Sequence, residues 1–185
     1  VANNLSIMTI DIEFLKYPIG KFEVPEVITP EQLQEAIATI KAFPDSFFSA
    51  VRRLSVAQLD TPYRPGGWTV RQLVHHCADS HMNAYIRFKL ALTEDNPTIK
   101  PYDEASWARL ADSELPVEPS LAIIKALHHR WATLLEAMKE DDFARTYFHP
   151  EKNRSQELSV VTLLYAWHCQ HHLAHVQHLV LRENW

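Results

Sequence analysis

Residues 158–182 read LSVVTLLYAWHCQHHLAHVQHLVLR, twenty-five positions without a glycine or proline. Val161, Leu164 and Leu179 fall on the same side of a helical wheel as His168 and His172, which predicts a long helix turning that face to a core. The same stretch holds His168, His171, His172, His175 and His178, five of the eleven histidines in the chain. Neutral imidazole is the commonest side-chain metal ligand and suits zinc, nickel and copper. A helix turns by about 100° per residue, so positions i and i+4 lie about 40° apart. Both His168/His172 and His171/His175 have that spacing, and spacing alone does not choose between them. The apolar companions favour His168 and His172, with His171 and His178 toward the flank and His175 nearly a turn further on.

Working outward, three more long helices are expected. Thr29-Pro30-Glu31-Gln32 combines a capping threonine, a proline at the first helical position and a glutamine that can close a capping box. That helix should run to about Leu54, with Pro44 bending or breaking it. Ser55 to Leu59 reads as one short turn. Pro65-Gly66-Gly67 marks a loop, and Thr69-Val70-Arg71-Gln72 repeats the capping logic for a helix to about Thr93. Pro97 and Pro101 mark a linker, and Asp103 to Leu110 a short helix. Ser120 to about Lys139 is the third long helix. Phe148 to Gln156 reads as polar and proline-marked. Near the N-terminus, partial alternation from Ile7 to Phe14 suggests a short extended segment before an irregular lead-in. Four long helices with marginal strand content predict an all-α four-helix bundle with short additional helices, in one domain over 1–185.

Composition narrows the function. The 185 residues carry a net charge of −5 and three glycines. The acidic balance gives no footprint for nucleic acid or an anionic membrane, and so few glycines argue against a phosphate-cradling loop. No run approaches the roughly 18 apolar residues of a spanning helix. Val1 to Leu15 lacks the order of a secretory signal. Two cysteines, Cys77 and Cys169, make no disulfide framework, so a reducing cytoplasm is expected. Both read as small core residues.

A third ligand should come from the helix starting at Thr69, where His75, His76 and His81 lie. His75 and His76 point about 100° apart, so both cannot reach one ion, and periodicity does not separate them. Three protein ligands leave a coordination position open, the pattern of a catalytic site. Asp79, three residues after His76, can serve as a base or orient a ligand's free N–H. His128, His129 and His149 lack evident ligand partners and read as structural.

The chain resembles the DinB/YfiT-like proteins. The resemblance is carried by Tyr17-Pro18-Ile19-Gly20, by Leu59-Asp60-Thr61-Pro62-Tyr63-Arg64 and by Gly66 to Gln72. It continues through His75-His76, Ala78 to Asn83, Tyr85 to Leu90, Arg130-Trp131 and Trp167-His168 through His175. It implies a four-helix bundle with one divalent ion per chain, nickel or zinc, held by His76, His168 and His172, in a homodimer. The family holds both metal-dependent hydrolases and bacillithiol S-transferases. A metal-dependent enzyme acting on a small-molecule thiol or a hydrolysable substrate is therefore expected. The alternative is a non-enzymatic metal-binding or stress-response bundle.

Overall fold

The computed structural model describes residues 12–185. Four long helices form the body: α2 (Pro30–Val51), α4 (Val70–Thr93), α6 (Glu118–Ala137) and α8 (Leu158–Arg182). Shorter helices α1 (Ile12–Lys16), α3 (Val56–Leu59), α5 (Glu104–Trp107) and α7 (Glu140–Phe143) lie before and between them, with a 3-10 turn at Ala111–Glu114. Helix α2 packs mainly on α8 and α6, and α4 on α6 and α8, so the four close a square. In that arrangement α4 and α8 are neighbours, which lets their histidines meet.

The helix starts follow from local chemistry. Thr29 Oγ1 accepts the Gln32 N–H at 3.3 Å while the Gln32 side chain accepts the Thr29 N–H at 2.9 Å. Thr69 and Gln72 make the same reciprocal pair at 3.1 Å each. Each box satisfies two donors that an uncapped helix leaves bare. Pro44 sits inside α2 without ending it, and the helix stops at Val51, three residues before the expected limit. Its aromatics Phe43 and Phe47 stack at 4.8 Å and are buried with Ile40 against α6 and α8. Trp131, Phe88 and Leu73 are fully buried, and Val161 and Leu179 seat α8 on the same core.

One expectation needs correction, and one element was not foreseen. The predicted extended segment does not continue to Phe14, because Ile12–Lys16 is helical; Ile7 to Asp11 lie outside the described residues. The polar, proline-marked stretch Phe148 to Gln156 lies within a hairpin that the sequence did not announce, β1 (Thr146–His149) paired antiparallel with β2 (Arg154–Glu157), in the register Thr146 to Glu157 and His149 to Arg154. Tyr147, His149 and Gln156 are buried, an alternation too short to stand out in the sequence. Asn153 takes positive φ (47°) at the turn, a conformation asparagine tolerates better than most residues. The Phe148 N–H donates to the Pro97 carbonyl at 2.9 Å and the Ile99 N–H to the Phe148 carbonyl at 3.0 Å, so the hairpin holds the linker after α4. Among the described residues no helix is long and apolar enough to cross a membrane.

Candidate metal centre

The Thr69 cap fixes where α4 begins and so places His76 in its second turn, facing α8. On α8, His168 and His172 lie one turn apart. One ring nitrogen from each of the three falls within 4.8 Å of the others. Nε2 of His168 and Nε2 of His172 are 3.1 Å apart. Nitrogens held at 2.0–2.1 Å around a tetrahedral ion stand about 3.3 Å from one another, so this pair fits a shared cation. The His76 ring lies 5.5 Å from His168 and 5.1 Å from His172, centroid to centroid, and packs against Trp68 at 4.6 Å. The residues present fit a divalent ion.

His75 faces elsewhere. Its Nε2 donates to the Leu115 carbonyl at 3.1 Å, and its Nδ1 accepts from the Ser120 hydroxyl at 2.8 Å. Both nitrogens are engaged in tying α4 to the start of α6 and the turn before it. Sequence periodicity left His75 and His76 equivalent; packing separates them.

Two further groupings have metal-like spacing, His81/His128/Cys169 and His171/His172/His175. In the first, all four imidazole nitrogens are hydrogen-bonded: His81 to His128 and His168, and His128 to His81 and the Ile40 carbonyl. Burial pushes the Cys169 thiol well above its ordinary range, which disfavours the thiolate a metal would need. This group is a polar core cluster. In the second, His175 bonds the Lys16 carbonyl at 3.2 Å through Nε2 and stacks on Tyr63 at 4.1 Å, while His171 stacks on Trp167 at 4.4 Å. His171 is buried against the trio, deeper than a flank position suggests. His178 stacks on Phe14 at 5.5 Å.

Electrostatics favour neutral rings. Desolvation, then the His171 ring, lowers His76 to about 4. Desolvation and neighbouring imidazoles hold His168 and His172 well below the usual range. Neutral imidazole is the ligating form. The histidine groupings contain no carboxylate among the described residues. Asp79 makes no hydrogen bond to a site histidine among the described residues; burial and then the Asp112 carboxylate raise it to about 6.

A cavity of about 700 Å³ reaches His168 from the hairpin side, lined by Ser80, Arg87, Tyr102, Tyr147, Lys152 and Tyr165 among others. The hairpin that sequence reasoning missed supplies part of this wall. His81 and His128 were also missed as a pair, because they meet only through the packing of α4 on α6.

The profile of the DinB superfamily matches residues 39–176. A Bacillus cereus protein named "Putative metal-dependent hydrolase" is 53% identical over 171 residues, covering 92% of this chain and 98% of its own. A Bacillus pumilus protein of the same name is 50% identical over the same shares. Among solved structures, YfiT from Bacillus subtilis, described as a probable metal-dependent hydrolase with an unusual four-helix bundle topology, superposes with a TM-score of 0.90. It is 46% identical and covers 93% of this chain and 99% of its own. A mycothiol-dependent maleylpyruvate isomerase shares the fold at a TM-score of 0.58 and 16% identity, over 74% of this chain and 57% of its own. With its bundle, its clustered histidines and relatives matched over nearly their whole length, the chain belongs to the DinB superfamily and, within it, to the YfiT-like proteins.

Proposed function

We propose that His76, His168 and His172 hold one divalent cation, zinc or nickel, in a single-domain enzyme that transfers a small-molecule thiol to an electrophile. The observation that carries this reading is the convergence of three desolvated, neutral imidazoles with no carboxylate in the histidine group. Held by His76, His168 and His172, a divalent cation would supply Lewis acidity that favours the thiolate form of a thiol substrate. Because all three residues are neutral imidazoles, they would leave the charge of such a cation uncompensated. In the transfer the sulfur forms its new bond to the electrophilic carbon, the leaving group departs with the bonding pair, and the thiol proton passes to water. The cavity beside His168 offers Arg87, Lys152 and several hydroxyls to a polar substrate.

Hydrolysis is the second reading, favoured by one observation: the Asp79 carboxyl, raised to about 6, is suited to accept a proton near neutral pH. It ranks second because Asp79 is not hydrogen-bonded to the histidine trio. The test loads the protein with zinc or nickel and offers it low-molecular-weight thiols with an alkylating electrophile, beside a panel of esters and amides. Metal-dependent thioether formation is the expected result. Metal-dependent hydrolysis without conjugation would replace the first reading with the second, and a stoichiometric metal without either turnover would favour a binding module.

A further inference from the structure

Behind His168 runs an unbroken line of hydrogen bonds through all four long helices. His168 Nδ1 on α8 lies 3.0 Å from His81 Nε2 on α4. His81 Nδ1 lies 2.7 Å from His128 Nε2 on α6, and His128 Nδ1 lies 2.6 Å from the Ile40 carbonyl on α2. His81 and His128 are fully buried.

The carbonyl end gives this line a direction. A carbonyl only accepts, so the His128 proton sits on Nδ1 and its Nε2 is a lone pair. That lone pair accepts the Nδ1–H of His81, whose Nε2 is then also a lone pair. It accepts in turn the Nδ1–H of His168. The outcome at the far end is fixed: His168 Nε2, 3.1 Å from His172 Nε2, carries no proton. Reversing the line would require an additional proton on a buried imidazole, and among the described residues no carboxylate hydrogen-bonds to any member to offset it. Among the described residues, neither His76 nor His172 has a hydrogen bond from its non-facing nitrogen; Nδ1 of His172 is buried without a partner. Of the trio, and among the described residues, His168 alone has its tautomer set from behind.

We propose that His81 and His128 are positioning residues which, anchored on the Ile40 carbonyl, hold His168 in the tautomer that presents its Nε2 lone pair to a divalent cation. A ligating histidine ordinarily has a carboxylate or carbonyl on its second nitrogen. Here the carbonyl acts at a distance through two intervening imidazoles, so a residue on a third helix governs ligand chemistry it never touches. The proposal rests on His168 being a ligand, but its first consequence is visible without metal.

The test uses metal-free full-length protein with ¹⁵N-labelled histidine, in which two-bond ¹H–¹⁵N correlations report each tautomer. Wild-type His168 is expected as the Nδ1–H form. His128→Leu removes the acceptor for His81, freeing His81 to carry its proton on Nε2 and driving the His168 proton onto Nε2. Zinc affinity, measured by competition with a chromophoric chelator, should fall about 10- to 100-fold in this variant. His81→Leu should weaken zinc similarly. His81→Gln should restore both tautomer and affinity, since its amide oxygen accepts from His168 while its N–H₂ donates to His128. An Nε2–H tautomer in wild-type protein would overturn the proposal, whether or not His128→Leu folds. So would unchanged tautomer and affinity in a folded His128→Leu. Should wild-type protein bind no zinc, the ligand assignment fails, while the apo tautomers of wild type and His81→Gln still decide the relay.

Discussion

Nε2 of His168 and Nε2 of His172 face one another at 3.1 Å across one turn of α8. Two lone pairs at that separation repel, so a cation between them converts an unfavourable contact into two bonds. In its absence, one nitrogen must hold a proton and donate it to the other. The contact therefore links metal, protonation and stability.

Replacing His76, His168 or His172 with alanine should each abolish stoichiometric zinc binding, as read by metal analysis after dialysis. His75→Ala is the matched control one residue away. It should keep one zinc per chain but lose about 1–3 kcal/mol of stability, because Ser120 Oγ and the Leu115 carbonyl lose their partner. Loss of metal in His75→Ala, with retention in His76→Ala, would reverse the assignment.

Removing the metal should unfold the protein more easily. A ligand that binds only the folded state adds about 4 kcal/mol at a thousandfold excess over its dissociation constant. Thermal melts with saturating zinc and with chelator should differ accordingly. Identical melting temperatures would mean that no ion binds the native bundle preferentially.

The metal-free protein should be acid-labile in a defined window. Burial lowers His76, His128 and His171 from 6.5 to about 4, so the unfolded chain binds more protons between those values. Stability is then fully present above about pH 6.5 and is lost as pH falls toward about 4, at up to roughly 1.4 kcal/mol per pH unit for each group. Urea unfolding at about pH 7 and about pH 5 should differ by more than about 2 kcal/mol. Equal midpoints would show that these rings are solvated.

Cys77 and Cys169 should be inert in the native state. Both are buried, and desolvation raises their thiols well above the usual range. A disulfide reagent should label neither thiol before unfolding and both afterwards. Rapid native labelling would reopen a role for a protein thiol.

What was legible in the sequence was local. The capping boxes at Thr29 and Thr69 involve residues three apart, and the starts of α2 and α4 follow from them. The i, i+4 pair His168/His172 is equally local, although His171/His175 shares its spacing and only the apolar companions Val161, Leu164 and Leu179 favoured the former. The choice between His75 and His76 was not legible, because it depends on Ser120 and Leu115, residues some forty positions away. Nor was the contact between His81 and His128, forty-seven positions apart, which exists only once α4 packs on α6. Strands β1 and β2 escaped because four residues each give too few alternations to outweigh polar neighbours.

The most direct test of the account is anomalous diffraction at the absorption edge of the metal found in the purified protein. One anomalous peak per chain, within bonding distance of His76, His168 and His172 and leaving His171 and His175 free, is the predicted result. A peak centred on His171 and His175, or none where metal analysis finds an ion, would contradict it.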